Sequence, residues 1–115
     1  MSKLHVVARI KIQEGRHEEF RQISRDSVSM VKEKEPGTTR YEWYLQNDGT
    51  EGVVIEEFVD SEAVLVHFQN MKALMHDVDI PGEMSIELFG DASPELLEAV
   101  KMTDLQKFSY IQGLG

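Results

Sequence analysis

The chain has 115 residues, no cysteine and a formal charge of −9 with histidine neutral. A chain of this size makes one domain that hides roughly 65% of its unfolded surface, and 41% hydrophobic with 29% charged residues is ordinary globular composition. Without cysteine there are no disulfides, thiolate nucleophiles, iron–sulfur clusters or cysteine zinc sites, and the negative surface makes nucleic acid and membrane unexpected partners.

His5 and Arg9 interrupt the first ten residues, so no signal peptide is expected and a cytoplasmic location follows by default. Leu4, Val6, Ala8, Ile10 and Ile12 then alternate with polar neighbours, the period of a half-buried strand. After Gly15, Phe20, Ile23, Ser27, Met30 and Val31 recur at helical spacing, and this amphipathic helix must stop before Pro36. Thr39, Tyr41, Trp43 and Leu45 define a second strand. The turn residues from Asn47 to Gly52 lead into a third, from Val53 to Asp60, paired antiparallel with the second.

Asp60 or Ser61 can cap a helix on which Val64, His67, Phe68 and Met71 share one face. The stretch from Lys72 to Ile80 reads as a second helical piece ending at Pro81-Gly82, and Met84, Ile86 and Leu88 alternate into a fourth strand. The order βαββαβ predicts a ferredoxin-like α+β fold, with an antiparallel four-stranded sheet and both helices on one face. Ser93-Pro94-Glu95 starts a short helix through Leu96, Leu97 and Val100, and residues from Leu105 to Ile111 read as a fifth strand. The expected organisation is a single domain over residues 1–115, with a core of 1–90 and an extension of 91–115. That late strand could be exchanged with a second subunit.

Two linked motifs stand out. Glu35-Pro36-Gly37-Thr38-Thr39-Arg40-Tyr41-Glu42-Trp43-Tyr44 has the form E-P-G-x-x-x-Y-E-x-Y, and Glu56 to His67 has the form E-x-[WF]-x-D-x-x-A-x-x-x-H. In this order the chain resembles the antibiotic biosynthesis monooxygenase family, quinol monooxygenase-like members included. The resemblance implies a homodimeric α+β barrel, with two sheets packed face to face. It also implies oxygenation, without metal or organic cofactor, of a small electron-rich aromatic such as a quinol or polyketide phenol. The alternatives are an isomerase of a small oxygenated metabolite and a non-catalytic small-molecule-binding dimer.

His67 is the candidate base, because an imidazole exchanges protons near neutral pH; the alternative is a buried histidine satisfied by a carbonyl. Trp43 and Tyr41 share a sheet face, and with Phe58 and Phe68 they are candidates for substrate binding or for the core. Arg9 and Arg40 are candidate partners of a phenolate or carboxylate, with surface ion pairing as the alternative. Haem-degrading relatives place an axial ligand near His76, but those relatives carry an Asn on the first strand and a Trp at the end of the third. This chain has no Asn before Asn47 and has Phe58 there, so a solvated His76 beside Asp77 and Asp79 is the better expectation. Glu56 and Glu57 point to opposite faces, so whichever faces the interior must find a partner or be protonated. No metal site is expected, and no phosphate loop or dinucleotide fingerprint is present.

Overall fold

The alternation of β1 (Leu4–Ile12) organises the sheet: Leu4, Val6, Ala8, Ile10 and Ile12 are all buried on one face. The computed structural model describes residues 3–114. Around β1 the strand order is β2-β3-β1-β4-β5, with β2 (Thr38–Leu45), β3 (Glu51–Phe58), β4 (Gly82–Phe89) and β5 (Leu105–Phe108). The first four strands pair antiparallel, as a ferredoxin-like core requires. β5 runs parallel to β4, so the complete sheet is mixed rather than purely antiparallel.

Two helices sit on the face that carries the buried side chains of β1. In α1 (His17–Lys34) the stripe Phe20, Ile23, Ser27, Met30 and Val31 is buried, and the helix stops before Pro36 because the proline ring excludes the next helical turn. α2 (Ser61–Leu74) starts on Asp60, whose carboxylate accepts the Ala63 N–H at 2.9 Å. The third strand therefore ends at Phe58, and the expected strand residue Asp60 is instead the cap. Lys72 does not open a second helical piece: α2 continues to Leu74 and gives way to turns and irregular chain. Arg16 holds that segment by donating to the carbonyls of Asp79 and Ile80, at 2.9 and 3.3 Å.

The extension joins the core rather than trailing from it. Ser93 caps α3 (Pro94–Val100) by accepting the Leu96 N–H, and Leu96, Val100 and Leu105 pack in one cluster with Leu4, Phe58 and Leu88. The α3 crossover returns the chain in the direction of β4, which is why β5 lies parallel to it. The free edge of β4 thus offers the late strand a seat within its own chain. It is shorter than expected, ending at Phe108, with Tyr110 and Ile111 exposed beyond it.

Two glycines fix close approaches. A Cβ on Gly82 would lie 1.8 Å from the Lys11 carbonyl oxygen, so β1 and β4 can pair here only around a residue without a side chain. A Cβ on Gly37 would meet Ala63 Cβ at 2.8 Å, so Gly37 lets the turn after α1 press against α2. Phe58 is fully buried in the main cluster. Phe58→Ala is expected to cost about 3–5 kcal/mol in urea unfolding, and a loss under about 1 kcal/mol would contradict this packing.

Candidate functional site

That approach of the post-α1 turn to α2 buries a polar cluster. Glu35 follows directly on α1, and its carboxylate accepts from His67 Nδ1 on α2 at 2.9 and 3.2 Å. It also accepts from Thr38 Oγ1 at 2.8 Å and from Asn70 Nδ2 at 3.0 Å. On the other side of the ring, His67 Nε2 lies 3.3 Å from Glu56 Oε1 on β3. That contact is close but not aligned for a hydrogen bond, and Glu56 Oε1 has no hydrogen-bond partner among the described residues. Glu35, Glu56 and His67 are each no more than 5% exposed. The imidazole is thus held between two buried carboxylates.

Aromatic rings enclose it. Tyr41 meets the His67 ring edge-on with centroids 5.1 Å apart, and Phe58 packs at 5.3 Å and Phe68 at 6.2 Å. Burial pushes the Glu56 carboxyl above the usual carboxylate range, and the charge of Glu35 adds to this while contact with His67 opposes it. For His67, burial alone would lower the pKa, but Glu56 and Glu35 outweigh it and the net direction is upward. The Tyr41 phenol is raised mainly by burial and then by the charge of Glu56, with nearby Trp43 and Ser27 pulling the other way. Ser27 Oγ and Trp43 Nε1 are buried and have no hydrogen-bond partner among the described residues. The cluster therefore holds unused polar capacity.

Beside it lies a cavity of about 590 Å³ between the sheet, α2 and α3, with walls including Ile10, Trp43, Phe68, Met71, Met84 and Val100. The walls are mostly aliphatic, and Lys72 is the one charged residue among them. Met71 and Phe68 both lie between the cavity and the cluster: each lines the cavity, Met71 Sδ lies 3.8 Å from the Tyr41 hydroxyl oxygen, and the Phe68 ring lies 6.2 Å from that of His67.

The residues singled out from sequence separate into three groups. His67, Tyr41 and Phe58 converge in the polar cluster, while Trp43 and Phe68 line the cavity. Arg9 and Arg40 are brought to neither. They lie on the opposite sheet face with side chains 46% and 47% exposed, near Glu87 at 3.7 Å and Glu42 at 2.7 Å. His76 is exposed and lies 3.1 Å from Asp77, and no group of three or more potential metal-ligating side chains occurs among the described residues. Sequence reasoning passed over Glu35, whose signal was its place at the head of the E-P-G turn. It also treated Ser27 only as part of a helical stripe.

A buried cluster of Glu35, Glu56 and His67 beside an apolar cavity, on a ferredoxin-like core, defines a small α+β protein. The sequence profile described as antibiotic biosynthesis monooxygenase matches residues 3–76, and the chain belongs to that family. Among solved structures, MupZ from Pseudomonas fluorescens is similar with a TM-score of 0.86 at 20% identity, over 100% of this chain and 95% of that one. Protein SO0527 from Shewanella oneidensis gives 0.65 at 22% identity, over 75% of this chain and 87% of that one. A Caulobacter crescentus protein described as a candidate antibiotic biosynthesis monooxygenase gives 0.61 at 26% identity, over 75% and 86%. The similarity to MupZ thus takes in the extension. No curated protein matches the chain at a significant level.

The directions of these shifts set a pH dependence. Glu56 and His67 bind protons more tightly folded than at their ordinary values of 4.5 and 6.5, so the stability they contribute is complete below those values and lost as pH rises through the folded ones. Glu19, Glu42 and Glu57 are held low by hydrogen bonds from Arg16, Arg40 and Lys3, and they titrate below this window. Urea midpoints are expected to fall from about pH 6 to pH 9, with a shallower slope in Glu56→Gln. A wild-type profile that is flat or rising there would contradict the assignment.

Proposed function

We propose that this protein oxygenates a small, largely apolar molecule bearing an enol or phenol, with His67 as the base and no metal or organic cofactor. The observation that carries the reading is a buried imidazole, fixed between two carboxylates and one methionine side chain away from an apolar cavity. Methionine is flexible, so a rotamer change at Met71 would let a substrate oxygen reach Tyr41 and His67. Deprotonation gives an enolate or phenolate that passes an electron to dioxygen. The radicals combine into a C–O bond, and the hydroperoxide loses water to leave a carbonyl. One oxygen atom stays on carbon, and the other leaves as water with the two hydrogens lost from the substrate. The protein supplies the base, the donors to the developing oxyanion and a dry site.

Trp43 and Phe68 would position the substrate in the cavity. Arg9 and Arg40 belong to the opposite face, where Val7, Val53 and Ile55 are only partly covered and Tyr44 is 49% exposed. A second copy packed on that face would cover them, giving the homodimer. One observation favours a different reaction at the same place: Glu56, pushed toward its neutral form beside a basic imidazole, is a proton donor next to a proton acceptor. That pair suits isomerisation or hydration of an oxygenated metabolite, reactions that need no dioxygen.

Dioxygen uptake by metal-chelated protein against hydroquinones, anthrones and catechols, corrected for autoxidation, tests the first reading. Saturable uptake is expected, with His67→Gln lowering kcat about 100-fold or more. Undiminished turnover in that variant would remove His67 from the reaction, and turnover undiminished without oxygen would favour the second reading. Light scattering is expected to give twice the chain mass, and Ile55→Asp to halve it; a wild-type monomer would sink the dimer.

A further inference from the structure

We propose that Glu35 is the positioning residue of this site, fixing His67 in the tautomer that carries its proton on Nδ1 and leaving Nε2 as the working nitrogen. The inference rests on His67 acting as the base, but its structural content stands on geometry alone.

The two carboxylates beside His67 are built differently. Glu35 receives three separate donors, from Thr38, Asn70 and His67. An ionised carboxylate is a pure acceptor, and this convergence suits that form. Thr38 donates from the start of β2 and Asn70 from α2, so the carboxylate cannot rotate away without losing bonds in a buried place. Both of its oxygens lie within hydrogen-bond distance of Nδ1, which must carry hydrogen to satisfy them. A neutral imidazole has one N–H, and with it committed to Glu35 the lone pair sits on Nε2.

Glu56 shows the opposite pattern. Its Oε1 has no hydrogen-bond partner among the described residues, although Nε2 is 3.3 Å away. Glu35 is therefore the fixed anion and Glu56 the group free to take or release a proton. The titratable groups facing His67 are Glu35 from the end of α1, Tyr41 from β2 and Glu56 from β3, with Phe58 and Phe68 completing the enclosure. Glu35 reaches the reacting atoms only through the ring, so its effect belongs in the proton affinity and tautomer of His67.

The ¹⁵N resonances of His67, followed across pH in the substrate-free protein, test this. Wild type is expected to show the Nδ1–H tautomer, and Glu35→Gln to lower the His67 titration by about one pH unit or more, with Glu35→Asp recovering part of the shift. The acid limb of kcat/KM is expected to move by the same amount with KM unchanged. An Nε2–H tautomer in wild type, or a His67 titration that Glu35→Gln leaves in place, overturns the proposal. So does a variant that lowers Tm without moving the acid limb, since Glu35 would then be structural only. If Glu35→Gln does not fold, Thr38→Val replaces it: this removes one donor, leaves the charge and is expected to raise the His67 titration, and an unmoved titration overturns the proposal. Because the resonances need no substrate, failure to turn over any compound would sink the proposed reaction while leaving this test intact.

Discussion

Burial of Glu56 on the inward face of β3 is the constraint around which the rest of this fold is arranged. Its neighbours along that face, Val54 and Phe58, belong to a dry interior, and an unpaired carboxylate among them costs several kcal/mol unless it is met or neutralised. The register sets Glu56 opposite Val6 on one side and Tyr41 on the other, and the helix above brings a further polar group to it. α2 supplies His67, and α2 can be held there because Gly37 lets the turn after α1 close onto Ala63. The same turn carries Glu35. One close backbone approach therefore completes the polar cluster from three separate elements.

Periodicity made much of this legible in the sequence. Alternation places Trp43 and Tyr41 together and puts Glu56 and Glu57 on opposite sides, so an interior glutamate needing a partner is legible in the sequence. Helical spacing turned His67 toward the sheet. Glu35 was harder, because a charged residue at a helix end beside proline is ordinarily solvated; its burial arises from a contact between segments far apart in sequence. The same limit applies to Met71: spacing gave its face but not its position between cavity and cluster. Alternation had also placed Arg9 out of phase with the buried residues of β1, so the charge-based argument for an anion partner ran against a pattern already visible. The parallel β5 depended on what α3 does as a crossover, which strand periodicity alone does not encode.

The polar cluster and the apolar cavity draw unequally on the chain. Glu35, Tyr41, Trp43, Glu56 and His67 all lie within residues 3–76, the part that matches the family profile. Much of the cavity wall lies beyond it: Met84 and Ile86 come from β4, Ala99 and Val100 from α3, with Thr103 and Leu105 following. Under the proposed reaction, those later residues would shape the space that a substrate fills, while the earlier ones would handle its proton. Members of the family that share the first part need not share the second. The family profile therefore takes in the polar cluster but not the β4 and α3 side of the cavity, so family membership alone does not fix the shape of that cavity.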